Sequence, residues 1–331
     1  MTLDHALAPL DAVRSGLYRR LAPTFGPWIR DRDTRVAAYL AMAVLGGLGA
    51  TLAAPLTMLV WAPLVLGVPH LVSEVRYLVV RPGLHRRLPV ILAVGGPLLA
   101  VLTDPRVGLL ATLGAILVAR ARPLPRLVAL AGWALLVALA WRRPTGADLL
   151  LLHLHNAVAL GLWWAWRSDR SLRQWGAVAL AAVVYVGFAV GAFDALVSPG
   201  GPFVHGVDIN GIASGIAPGR TIAGLSSWHL LLAYIFGQSI HYAVWLRLVP
   251  EDDRVRYTPR PFRATARALL DDLGPALLLG GVGVWLTFLS WGTQDPAAAR
   301  LGYLQAALFH AHLEIALGAL AVLERRRPGH P

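Results

Sequence analysis

From Val36 to Leu323 the sequence is a succession of apolar runs, parted by short segments that carry most of the arginines. A helix of about 20 apolar residues crosses the ~30 Å hydrocarbon core of a bilayer. Inside that solvent the backbone has to satisfy its own hydrogen bonds, so helices are the expected element. Composition agrees: 56% of residues are hydrophobic and 15% charged, where soluble domains carry about 25% charge. The mean hydropathy is +0.59. The expected fold is therefore all-α, a polytopic membrane bundle of about ten transmembrane helices. The spans fall near 36–53, 55–79, 89–103, 107–120, 125–141, 148–166, 175–196, 227–247, 269–291 and 301–323. The third and fourth are short enough to form a tight hairpin.

When alternate connections are assigned to opposite sides, one side collects 24 of the 30 basic residues and the other collects 5. Arg76 falls within a span. The positive-inside rule makes the rich side cytoplasmic, and an even number of spans puts the N- and C-termini there together. This divides the chain into three parts. Residues 1–35 form a cytoplasmic or interfacial segment, 36–323 a single transmembrane domain, and 324–331 a cytoplasmic tail. In the first part Leu10, Val13, Leu17, Leu21, Phe25 and Trp28 are placed to face lipid, with arginines toward headgroups. The start reads as polar and arginine-bearing rather than as a signal peptide. The outer connection 197–226 is long and glycine-rich, and carries His205, Asp208 and Asn210. Such loops are lids, binding loops or floppy connections.

Several chemistries drop out. The chain has no cysteine, which removes disulfides, thiolate metal sites, iron–sulfur clusters and a cysteine nucleophile. The net charge of +12 does not mark nucleic-acid binding. All the basic residues are arginine, and their positions are those that membrane orientation explains.

Seven of the eleven histidines fall within spans: His70, His153, His155, His229, His241, His310 and His312. Glu74 and Glu314 join them. Ionisable groups at membrane depth are costly and by default mark a functional interior. Counted at 1.5 Å per residue from the nearest cytoplasmic arginine, His70, His155 and His312 lie about 16, 18 and 20 Å up, and His153 and His310 about 21 and 22 Å. His241 comes out lower, at about 9 Å above Arg247, and His229 higher, at about 27 Å. One of these two could join the layer through tilt or a helix break. His70 with Glu74 and His310 with Glu314 are i, i+4 pairs, each on one helix face. Facing helices that present imidazole and carboxylate are how bundles build di-iron and di-manganese sites. Nitrogen and oxygen ligation suits iron, zinc, copper or manganese. The candidate metal ligands are thus His70, Glu74, His153, His155, His229, His241, His310, His312 and Glu314. The alternative is that the glutamates pair with arginines, Arg76 being within reach. His153 and His155 point about 200° apart, as do His310 and His312, so only one of each pair faces a given point. Asn156 is expected in an interhelical hydrogen bond, Asp194 in solvent, and the tryptophans at span ends in the interfacial belt.

Gly67-Val68-Pro69-His70, followed by Glu74, resembles the glycine-x-proline-histidine signature of the bacterial Brp/Blh family. These are multi-pass membrane enzymes that cleave β-carotene to retinal with non-haem iron. His229 and His241 are similar to that family's histidines on later helices, although here they stand 12 residues apart rather than as a close pair. The resemblance implies a metal role for His70, a carotenoid-like substrate and a bacterial-type inner or plasma membrane.

The reading is a non-haem metal oxidoreductase or oxygenase, with one or two iron ions, acting on a lipophilic substrate such as a carotenoid or lipid. Its other partners are the bilayer and an external electron donor, since no nucleotide-binding signature occurs. One alternative is a haem protein with two axial imidazoles, such as His70 and His241. Another is a proton-coupled transporter whose histidines and glutamates form a relay.

Overall fold

The computed structural model describes residues 3–142, 144–167, 170–198, 226–254 and 259–325. Most of the outer connection, with His205, Asp208 and Asn210, lies outside them, as does His330. The described residues are helical and include no strand. We number the helices α1 (Leu3–Arg30), α2 (Arg32–Ala53), α3 (Pro55–Val80), α4 (Leu88–Ala100), α5 (Pro105–Val118), α6 (Pro123–Arg142), α7 (Pro144–Trp166), α8 (Leu172–Ala189), α9 (Ser227–Ala243), α10 (Phe262–Gln294), α11 (Pro296–Ala306) and α12 (Leu308–Glu324). Among the described residues six stretches are long and apolar enough to cross a membrane: α2, α3, α6, α8, α10, and α11 with α12 taken together. The α4–α5 pair is shorter.

Local chemistry sets the boundaries. The Asp31 carboxylate accepts from the Thr34 amide at 2.6 Å and opens α2. Ser226 caps α9 through the His229 amide. Asp295, followed by Pro296, caps α11. Each satisfies an amide that the first helical turn leaves without a partner. Two expected spans are not single helices. The 269–291 run belongs to a longer helix broken at Gly274, whose φ of 73° precedes Pro275. The 301–323 run is broken at Ala307.

α9 lies at the centre of the bundle. It packs on α2, α3, α7 and α8, and every residue from Leu231 to Gln238 is buried. The helix ends on the arginine-rich face are tied by ion pairs. Arg35 and Arg254 share Glu251, Arg167 bridges Asp33 and Asp252, and Arg81 meets Asp253 at 2.5 Å. Arg87 meets Glu324 at 2.8 Å. Arg76, expected near a glutamate of the histidine layer, bonds Asp272 of α10 at 2.7 Å instead. Helix α1 runs along this face. Its Asp11 accepts from the Phe262 amide at 2.6 Å, while its other end leads directly into α2. Its Leu10, Val13, Leu17, Phe25 and Trp28 are exposed.

Prolines shape the interior of α3 and the turns that follow α9. A helical proline lacks the N–H that its i−4 carbonyl would accept. Pro63 frees the Leu59 carbonyl, which takes Nε of Arg300 at 2.9 Å. Pro69 frees the Val65 carbonyl, which takes Nε1 of Trp285 at 2.9 Å. After His241, α9 passes into a π-turn, Val244–Leu248, in which carbonyls look five residues ahead. For Trp245 that residue is Pro250, so the Trp245 carbonyl accepts Oγ of Ser73 on α3 at 2.5 Å instead. The missing donors in two helices thus become ties among α3, α9, α10 and α11.

Candidate metal centre

Four helices each bring one imidazole to a common point: His70 on α3, His155 on α7, His241 on α9 and His310 on α12. Ring centroids lie 4.8 Å apart for His155–His241, 5.0 Å for His155–His310, 5.2 Å for His70–His241 and 5.3 Å for His70–His310. One nitrogen each from His70, His241 and His310 falls within 4.8 Å of the other two. Nε2 of His310 and Nε2 of His155 are 3.3 Å apart. Nitrogens bound to one ion at roughly 2.0–2.1 Å stand about 3.0–3.4 Å from each other. That pair already has ligand spacing, and the other two rings need to move inward by roughly 1 Å to match it.

The free valences point the same way. Neither ring nitrogen of His70 or of His241 makes a hydrogen bond among the described residues, though both rings are buried. His70 lies near the Leu66 and Gly67 carbonyls and His241 near that of His155, with none in bonding geometry. Buried polar groups are almost always satisfied, so a group of orphaned nitrogens asks for an explanation. His155 and His310 each face a backbone carbonyl through Nδ1, Leu152 and Ala307 respectively. Those contacts leave both Nε2 atoms for the cluster. A backbone acceptor on one nitrogen, fixing the ring and freeing the other nitrogen, is the usual arrangement of a metal-bound histidine.

One helical turn toward the arginine-rich face lie Glu74 and Glu314, both with no exposed surface. Oε1 of Glu314 accepts from the Trp245 indole and stands 4.0 Å from Nδ1 of His241. The π-turn after His241 holds Trp245 in this position, and a second π-turn, Arg76–Val80, follows Glu74 on α3. Such turns cluster at functional sites because they re-aim side chains inside an otherwise regular helix.

A cavity of about 460 Å³ opens beside the imidazoles. It runs from His70, His155, His241 and His310 toward the Asp104–Arg106 turn between α4 and α5. Leucines and alanines line it together with the tyrosines Tyr234, Tyr242 and Tyr303, the amides of Gln238 and Asn156, and the charged Asp104 and Arg106 at its α5 end. Tyr242 lies against His70, 4.7 Å between ring centroids, and its hydroxyl accepts from Gln238 at 2.9 Å. Tyr303 occupies the space that Gly67 leaves by lacking a Cβ.

Of the nine residues singled out in the sequence, the structure gathers His70, His155, His241 and His310, with Glu74 and Glu314 beneath them. It does not bring in the other three. His229 sits at the far end of α9, where Nε2 meets Asp194 at 2.8 Å. Asp194, expected in solvent alone, is half exposed and holds this partner. His153 turns away from the cluster to the Tyr185 hydroxyl at 2.9 Å. His312 packs on Gly108 and lines the cavity at its α5 side. His241 joins the layer because the helical path continues beyond α9, through the π-turn and a last turn Val249–Asp252, past Arg247 to Asp252, which bonds the Arg167 used to place His155. Counted from Asp252, His241 stands about 16 Å up, level with His70. Asn156, expected in an interhelical bond, has neither side-chain atom bonded. Two tryptophans assigned to the interfacial belt are core residues instead. Trp163 holds Asp252 at 2.7 Å, and Trp245 holds Glu314. Of the residues that shape the centre, the sequence reading missed Trp245, Tyr242 and Tyr303. The adjacency of Trp245 to His241, with Pro250 five residues on, was the available signal.

No protein-family model matches the chain, and neither a curated protein nor a solved structure matches it.

Proposed function

We propose that this protein is an integral-membrane, non-haem metal-dependent oxidoreductase of the oxygenase type, with iron held by His70, His155, His241 and His310 and a lipophilic substrate in the adjoining cavity. The observation that carries the reading is the convergence of four imidazoles from four helices, two of them with both nitrogens unbonded. All-nitrogen ligation by neutral imidazoles, with carboxylates nearby to balance charge, suits iron and other first-row divalent ions. Such an ion, held by these imidazoles, would supply activation of dioxygen.

The chain's own residues do the rest. The lining surface is mostly apolar and favours a substrate that is apolar over most of its length, and about 460 Å³ is within the usual range for a small-molecule site. Tyr234, Tyr242, Gln238 and Asn156 offer the few polar contacts that would fix its orientation. Glu314, steadied by Trp245 and 4.0 Å from His241 Nδ1, would help balance the charge of an ion held by the imidazoles. The resemblance around Gly67–His70 supports a carotenoid or another unsaturated lipid as substrate. Reductant, where required, comes from an external donor. The haem alternative is disfavoured by crowding: with His155 and His310 packed against His70 and His241, no slot remains for a macrocycle between two axial rings. In this reading the bundle has ten spans in a bacterial inner or plasma membrane, with its arginine-rich face and both termini cytoplasmic.

The test is oxygen uptake and product analysis. Iron-loaded protein in nanodiscs is given polyenes and unsaturated lipids in air, beside the His310→Ala variant. Substrate-dependent uptake that His310→Ala abolishes is expected; equal, background uptake by both proteins across the panel refutes the oxygenase.

A further inference from the structure

Glu74 and Glu314 are two carboxyl groups at zero exposure, on different helices, each one turn beyond an imidazole, His70 and His310, whose ring centroids lie 5.3 Å apart. They are not hydrogen-bonded to each other. Both oxygens of Glu74, and Oε2 of Glu314, have no hydrogen-bond partner among the described residues. Among the described residues no arginine pairs with either. Arg76, the nearest along α3, is committed to Asp272, and Arg35 to Glu251. Ionised, the pair would be two buried like charges without a counter-charge, which is strongly unfavourable. Neutral, each acid would still need a partner for its O–H, and Glu74 has none. Both states lack a third body between the carboxylates. Two oxygens on one divalent ion, bound at roughly 2.0–2.2 Å, stand up to about 4 Å apart, beyond hydrogen-bond contact with each other.

We propose that Glu74 and Glu314 hold a second divalent cation, a hard ion of the manganese, iron or magnesium type, next to the ion of the imidazole cluster. Carboxylate oxygens select such ions over softer ones. The 4.0 Å between His241 Nδ1 and Glu314 Oε1 puts this seat against the first site, so the centre is binuclear, with a nitrogen-rich and an oxygen-rich half. The inference rests on the metal reading above.

The experiment counts ions. Full-length protein in detergent is stripped with chelator, re-equilibrated with manganese(II), and its bound metal is measured per chain, with electron paramagnetic resonance to detect exchange coupling. The same is done for Glu74→Gln and Glu314→Gln, which keep side-chain shape, after gel filtration confirms a monodisperse peak. The wild type is expected to bind two ions per chain with coupled spectra. Each glutamine variant is expected to bind one tightly, with affinity for the other weakened by on the order of 10- to 100-fold or more. One ion per wild-type chain, unchanged in both variants, overturns the second seat and leaves the imidazole site standing. Two ions unaffected by either substitution also overturns it. No bound ion in the wild type overturns this inference and the metal reading together.

Discussion

Replacing Gly67 with alanine puts a methyl group where the ring of Tyr303 already lies. A Cβ built on Gly67 falls 2.3 Å from Tyr303 Cζ, 2.5 Å from its hydroxyl and 2.6 Å from Cε2. Carbon atoms pack at about 3.5–4.0 Å, so ring and helix must part by roughly 1.2–1.7 Å. Tyr303 has little freedom to yield, being 2% exposed and packed among Leu64, Val68, Ala299 and Phe288. Overpacking of this kind costs about 1–3 kcal/mol. The damage also reaches the centre, because His70 is three residues along the same helix and a shift of about 1 Å at a reacting group is worth roughly 100-fold. Gly67→Ala is therefore expected to lower thermal stability and to weaken metal retention together, read by a melting curve and by metal competition with a chelator. Tyr303→Phe should not rescue it, since Cζ and Cε2 remain. Tyr303→Leu, which removes the overlapping ring atoms, should rescue at least part of it, giving a non-additive double-mutant cycle. A Gly67→Ala protein with wild-type melting and metal retention, or equal non-rescue by phenylalanine and leucine, refutes the packing argument.

Two further outcomes follow from buried partners. Glu251→Gln takes from Arg35 and Arg254 the carboxylate they share at 3% exposure, and breaking such a pair costs on the order of 3–5 kcal/mol; the melting temperature should fall clearly, while an unchanged melt would mean the pair contributes nothing net. Trp245→Phe removes the one hydrogen-bond donor to Glu314 among the described residues, at a cost of about 1–3 kcal/mol, and is expected to loosen metal binding by on the order of 10- to 100-fold in a chelator competition; retention equal to wild type would detach Trp245 from the centre.

Much of the centre was legible because membrane depth makes few residue types tolerable. An imidazole in hydrocarbon has to be explained, and a count of 1.5 Å per residue places His70, His155 and His310 in related layers from the sequence alone. The 200° divergence within His153/His155 and within His310/His312 likewise foretold that one of each pair would face away, as His153 and His312 do. His241 was a candidate that needed tilt or a helix break to join the layer, because a depth counted from Arg247 takes the first arginine as the membrane edge. That arginine lies within a π-turn, and the helix continues to Asp252. Charge pairing was opaque for a different reason. Arg76 chose Asp272, 196 positions away, and no local pattern specifies a partner at that separation. The breaks at Gly274 and Ala307 were hidden inside continuous apolar runs, where hydropathy reports length but not backbone geometry. The proline effects were in principle readable, since Pro63, Pro69 and Pro250 each announce a carbonyl in need of a donor; which donor answers depends on packing.

The measurement that bears most directly on the account is elemental analysis, with an absorbance spectrum, of protein purified in detergent without chelators. At least one equivalent of iron or another transition metal per chain is predicted, with no Soret band, and with the metal lost from His70→Ala, His241→Ala and His310→Ala. Metal-free wild-type protein, a Soret band, or full occupancy in all three variants would contradict it.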